Sequence, residues 1–176
     1  MRDYEKSKYY FFKEWIIPVI TIFILTILVT RFLLFSVYIP SSSMVPTINV
    51  GDKLIVRKIY KTDNIKRGDI LVFYSDELQE TLIKRVIGLP GDHIVIKNGI
   101  VTINGEVIKE DYVKNSDNNE DELSYDVPEN KFFFLGDNRP VSKDSRRWIN
   151  PYIDEDDIKG KAILRFYPIE DFGSVN

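Results

Sequence analysis

The sequence has no cysteine and a single histidine, His93. The first absence removes disulfide frameworks, thiolate nucleophiles and thiolate metal sites together, and the second removes any centre that needs several imidazoles. No loop has the Asp/Asn/Gly spacing of a calcium hand. A net charge of only −3 offers no broad basic field to nucleic acid. Carboxylate-only cation sites stay open, and the chain is otherwise read with no cofactor, no metal and no nucleic-acid partner. What remains for covalent chemistry is a hydroxyl, a lysine or a carboxylate, with a base drawn from a short list.

Apolar residues are concentrated near the N-terminus. From Trp15 to Phe35 the run is broken only by Pro18, several threonines and Arg31, and as a helix it reaches about 30 Å, the hydrocarbon thickness of a bilayer. Arg31 lies where it can snorkel, and Trp15 and Tyr38 stand as interfacial anchors at the two ends. Ahead of the run, Arg2, Lys6, Lys8 and Lys13 form a basic flank that favours a cytoplasmic N-terminus. The expected organisation is a cytoplasmic segment 1–14, a single transmembrane helix 15–35 in the cell membrane, and an extracytoplasmic domain 36–176. A cleavable secretory signal competes with this reading, because Ser41 and Ser43 are spaced like a processing site. The run is long for a signal core, however, and it carries Arg31.

Beyond residue 50 the pattern alternates. Strands are expected at 53–59, 70–74, 81–87, 93–97, 100–103, 106–108, 131–135 and 162–167. Asn98-Gly99 and Asn104-Gly105 are the dipeptides preferred in two-residue type I′ hairpins. Residues 111–130 are acidic and Asn-rich and read as a solvated loop or insertion. The fold class is mainly β: a single transmembrane helix followed by a folded-over antiparallel β-sheet, barrel-like, as the extracytoplasmic domain. Trp148 and the run Phe132 to Phe134 are available for apolar contact with lipid.

Three clusters carry possible chemistry. Pro40-Ser41-Ser42-Ser43-Met44-Val45-Pro46-Thr47 sets three serines between prolines, a stiff turn that can hold a hydroxyl in place or serve as a plain polar linker. Lys84 lies in an apolar strand, sharing one face with Leu82 and Val86 while Arg85 shares the other with Ile83 and Ile87. A desolvated lysine can lose its proton whereas arginine stays charged, so a base from this strand is Lys84. An exposed sheet edge protected by a positive charge is the alternative for the same residue. His93 is the rival base, though its place after a Pro-Gly-Asp turn suits a surface position. The third cluster runs from Gly136-Asp137-Asn138-Arg139 to Arg147. In it Ser142 is able to orient a neutral lysine, and Asp144 is able to pair with Arg146.

Four blocks, in order behind the apolar run, resemble the type I signal peptidases, membrane-anchored serine proteases that remove signal peptides from exported proteins. They are Ile39 to Thr47, Arg67-Gly68-Asp69-Ile70-Leu71-Val72-Phe73, Lys84-Arg85-Val86-Ile87-Gly88-Leu89-Pro90-Gly91-Asp92, and Gly136 to Arg146. The resemblance implies Ser43 as nucleophile and Lys84 as general base. It also implies an oxyanion hole from the Ser43 N–H and the Ser41 hydroxyl, with Ser142 orienting Lys84 and Asp144 with Arg146 bracing the site. Pro140-Val141 departs from the usual pattern. The short acidic segment is similar to compact Gram-positive forms, and Lys84 stands where the endoplasmic-reticulum type has histidine. The implied partners are signal-peptide-bearing preproteins and the lipid bilayer. An extended substrate is expected to add a strand, with Ile39, Ile83 and Val86 lining small pockets. A membrane-tethered, non-enzymatic β-domain binding an extracytoplasmic partner is the alternative. A self-cleaving repressor-type Ser/Lys protease lacks the anchor.

Overall fold

The computed structural model describes residues 10, 12–117 and 120–175. Arg2, Lys6 and Lys8, the bulk of the basic flank, lie outside the described residues. The chain divides into two units, residues 1–35 and 36–176.

In the first unit a π-helical stretch Phe12–Ile16 leads into helix α1, Ile17–Phe32. No described side chain of α1 is buried, and a helix that is apolar on every side suits lipid rather than water. Together with the π-helical stretch it makes Phe12–Phe32, 21 residues, and among the described residues this is the one helix long and apolar enough to cross a membrane. Thr21, Thr26 and Thr30 turn their hydroxyls back to carbonyls four residues earlier, which satisfies polar groups that lipid would not. The helix ends at Phe32, and Leu34–Tyr38 is already strand β1.

The second unit is built from β2 (Lys53–Lys58), β3 (Ile70–Ser75), β4 (Glu80–Gly88), β5 (His93–Lys97), β6 (Ile100–Ile103), β7 (Glu106–Val107), β8 (Leu123–Asp126), β9 (Lys131–Leu135), β10 (Tyr152–Asp154), β11 (Ile158–Tyr167) and β12 (Gly173–Ser174). The larger sheet has the order β1-β2-β11-β3-β4-β9-β10, with β12 on β11, and the smaller has the order β7-β6-β5-β8. The mainly antiparallel β domain is as expected. Both Asn-Gly turns adopt positive φ at each residue, 50° and 74° at Asn98-Gly99 and 52° and 86° at Asn104-Gly105, the backbone that a type I′ hairpin requires.

Alternation along β4 sets the layering. Leu82 and Val86 join a cluster with Leu71, Phe73, Phe134 and Trp148. Ile83 packs instead with Ile39, Met44, Ile48 and Ile70, and Ile87 packs with Phe133, Leu135, Ile94 and Val101, the layer between the two sheets.

Two expectations need correction. Residues 111–130 are not a solvated loop throughout, because β8 lies within them and pairs antiparallel with β5. Leu123, Tyr125 and Val127 alternate inward onto the inter-sheet core; the segment is poor in apolar residues, but the few it has fall on one face. Trp148 and Phe132 to Phe134 are buried, with Phe73 stacked on Phe134 at 4.3 Å and edge-on to Trp148 at 6.1 Å. They form core and have no surface to offer lipid.

Candidate active site

The serine turn is pinned by apolar side chains on either side of its hydroxyls. Ile39, Met44 and Ile48 are almost wholly buried, Ile48 N donates to Met44 O at 3.0 Å, and Ile39 exchanges backbone bonds with Asp52 and Gly51. Ser41 and Ser42 stay exposed while Ser43 is buried. Strand β4 approaches from the other side, its Lys84 paired in register with Leu71 of β3.

Lys84 Nζ donates to Ser43 Oγ at 2.8 Å and to Ile83 O at 3.1 Å. Burial drives the Lys84 ammonium down to about 8 from its usual value, against the opposing pull of Asp144, Glu80 and Asp137. A desolvated amine beside a hydroxyl is what a lysine base needs. The hydroxyl of Ser41 lies 3.4 Å from Ser43 Oγ, too long for a strong bond but close enough to share a bound oxygen atom.

A third layer holds the turn from beneath. Asn138 N donates to Ser43 O at 3.0 Å, and its side-chain amide donates to Ser42 O at 3.1 Å. Asp137, fully buried, accepts from Arg85 Nε and Nη2 at 2.9 and 2.7 Å and from Thr47 Oγ1 at 2.5 Å. Asp144 accepts from Gly136 N at 3.0 Å and pairs with Arg146 at 2.9 Å. A Cβ at Gly136 would lie 2.2 Å from Ser142 Oγ and 2.5 Å from Ser43 O, so this approach admits glycine alone.

Beside Ser43 and Lys84 runs a groove of 530 Å³ between residues 37–43 and residues 80–84, with Val72, Leu78, Val141 and Lys143 completing its walls. Strand β9 pairs with β4 only from Arg85 onward. The half of β4 that carries Glu80 to Lys84 therefore bonds to β3 on one side and turns its other edge to the groove.

The structure thus brings Ser41, Ser43, Lys84, Asp144 and Arg146 into one neighbourhood. Ser142 is fully buried, but its hydroxyl finds no hydrogen-bond partner, so the expected bond to Lys84 is not formed here. Ile39 and Ile83 line the groove as expected. Val86 does not; it is covered by β9, facing Phe134 in register, and belongs to the core. His93 sits at the surface with Nδ1 2.6 Å from exposed Asp126, and it does not line the groove beside Ser43. Asp137, Asn138 and Arg85 stand within the sequence motifs, but their partners are remote in the chain and no local signal gives their tasks.

Residues 12–167 match the family described as signal peptidase, peptidase S26. A signal peptidase I from Leptolyngbya laminosa is 42% identical over 147 residues, covering 78% of this chain and 71% of that protein. A signal peptidase IB from Staphylococcus aureus is 36% identical over 177 residues, covering 90% and 91%. The crystal structure of a signal peptidase I from Enterococcus faecalis matches with a TM-score of 0.50 at 30% identity, covering 56% of this chain and 97% of that one. The family match spans most of the chain and the fold agrees with it: this chain belongs to the peptidase S26 signal peptidases, a family of serine peptidases.

Proposed function

We propose that the chain removes N-terminal signal peptides from exported preproteins by a Ser/Lys mechanism in which Ser43 is the nucleophile and Lys84 the general base. The observation that carries this reading is the 2.8 Å contact between Lys84 Nζ and Ser43 Oγ at a buried lysine whose proton is held weakly. Neutral Lys84 takes the hydroxyl proton as Ser43 Oγ attacks the scissile carbonyl. The tetrahedral oxyanion receives hydrogen bonds from the Ser43 N–H and the Ser41 hydroxyl. Lys84 returns its proton to the leaving amine, which departs as the new N-terminus of the mature protein and leaves an acyl-enzyme on Ser43. Water, deprotonated by Lys84, then attacks the ester, and Lys84 passes that proton to the departing Ser43 Oγ, which frees the signal peptide and restores the enzyme. Asp144 with Arg146 braces the loop beneath. The steps balance without a cofactor.

The substrate lies extended along the open edge of β4, adding a strand so that alternate side chains enter the groove. Ile39 and Ile83 line it beside the dyad, and apolar walls there suit small apolar side chains. Helix α1 with the helical stretch before it anchors the enzyme in the cell membrane, the chain ahead of it cytoplasmic, the span ending at Phe32 and domain 36–176 outside, so that enzyme and signal peptide share one bilayer. A tethered, non-catalytic binding domain leaves the buried Lys84–Ser43 contact without a purpose.

The test is mass analysis of the fragments formed from a signal-bearing preprotein by the detergent-solubilised enzyme. A single cut after a small residue, absent with Ser43→Ala, is expected. No cut, or an equal cut by the variant, contradicts the reading.

A further inference from the structure

Residues 109–117, between β7 and β8, form neither helix nor strand, yet Glu110 and Asp117 reach the loop that holds the serine turn and Tyr112 reaches Arg85 of β4. Glu110 grips the Arg139 guanidinium at two points, Oε2 accepting from Nη1 at 2.9 Å and Oε1 from Nη2 at 2.5 Å. Both side chains are buried, Arg139 to 3% and Glu110 to 9% exposure. Tyr112 donates its hydroxyl to Glu110 Oε1 at 2.7 Å and lays its ring against Arg85, 3.9 Å from the guanidinium carbon. Asp117 accepts from Arg146 at 3.2 Å.

Arg139 passes this hold onward. Its Nε donates to Gly136 O at 3.1 Å, and its own carbonyl accepts from Arg146 Nη2 at 2.7 Å. Between Gly136 and Arg139 stands Asn138, whose backbone and side-chain amides grip the carbonyls of Ser43 and Ser42. Glu110 is therefore joined to the backbone of the serine turn through three residues.

We propose that Glu110 is a positioning residue for the reaction: by fixing Arg139 it sets the 136–139 loop, and through Asn138 it sets the Ser42–Ser43 backbone. The proposal rests on the assignment of Ser43 above, since the peptide being set is the one that carries the oxyanion donor. An exposed ion pair holds nothing in a fixed geometry. A desolvated, two-point carboxylate–guanidinium contact does, because both planes must align. Removing the carboxylate leaves a buried cation with its compensation gone, so the loop must move to rehydrate it.

The test is steady-state cleavage of a preprotein by the full-length chain, with kcat expressed per folded molecule after a thermal melt of each variant. Glu110→Gln is expected to lower kcat about tenfold to a hundredfold with KM within about twofold, because displaced catalytic geometry acts on turnover. Arg139→Gln should do the same, and the double variant should be no worse than the poorer single, as expected of residues acting through one another. Glu110→Asp, which keeps the charge, should recover part of the loss. Lys109→Ala, which breaks only an exposed pair with Asp111, should behave as wild type. The proposal is overturned if Glu110→Gln merely melts earlier while each folded molecule keeps wild-type kcat, or if the two losses multiply. A Ser43→Ala control separates the claims. If it cuts as well as wild type, the nucleophile assignment falls and the positioning role falls with it. If it is dead while Glu110→Gln is fully active, only the positioning role falls.

Discussion

Lys84 Nζ and Ser43 Oγ come from positions 41 apart in the chain and stand 2.8 Å apart, with the lysine buried to 3% exposure. A proton can cross that distance directly, so what limits the pair is the fraction of lysine that is neutral. With the ammonium brought down to about 8 by burial, a useful fraction is free at neutral pH. An unperturbed lysine would leave almost none.

The first prediction concerns rate against pH. For the free enzyme, log kcat/KM should rise with unit slope below pH 8 and flatten above it, since that quantity reports the essential groups of the unliganded site. Lys84→Arg keeps the charge and loses the base, and should be inactive at every pH tested. A profile without a limb between pH 7 and 9, or an active arginine variant, contradicts the assignment.

The same shift has a signature in stability. The folded value, about 8, lies below the unfolded one, so folding expels a proton between pH 8 and 10.5 and stability rises with pH across that window. Below pH 8 the full penalty remains, about 3 kcal/mol at 1.36 kcal/mol per unit. Lys84→Met, which carries no such penalty, should be more stable than wild type at pH 7 by roughly that amount. Urea denaturation should show the gap closing as pH approaches 10.5.

Ser41→Ala should reduce kcat about a hundredfold, in line with removal of one oxyanion donor, while the melting temperature stays unchanged because Ser41 is exposed. An unaltered rate removes Ser41 from the oxyanion hole.

The Arg85–Asp137 pair is buried on both sides and ties β4 to the loop beneath Ser43. Arg85→Met alone should cost about 3–5 kcal/mol by leaving the Asp137 carboxylate uncompensated. Adding Asp137→Leu should return part of that loss. Equal losses in the single and double variants, measured by denaturant unfolding, would argue against a coupled pair.

Much of this was legible in the sequence, and the reasons are local. Strands β2, β5 and β6 announce themselves by alternation and β3 and β4 by short apolar runs, and the Asn-Gly pairs close their hairpins because few other residues tolerate two positive φ values in succession. Lys84 stood out because a cation in an apolar strand needs explaining. What stayed hidden depends on distant partners. β8 sits in an acidic stretch, where three inward residues are outnumbered by polar neighbours. Trp148 follows two arginines and looks exposed, yet Phe73 from β3 covers it. Val86 has the same chemistry as the groove-lining Ile83, and only the point at which β9 begins to pair decides that one is core and the other is wall. Glu110 and Arg139 give no local sign of meeting, because nothing within a few residues of either reports the other.

The most direct test of the central claim is the cleavage rate of one preprotein by the wild-type enzyme, Ser43→Ala and Lys84→Ala side by side, with the fold of each checked by circular dichroism. The account predicts efficient release of the mature protein by wild type and losses of about 10⁴-fold or more in both folded variants. A folded Ser43→Ala or Lys84→Ala enzyme that still cuts at a comparable rate would show that the chemistry lies elsewhere.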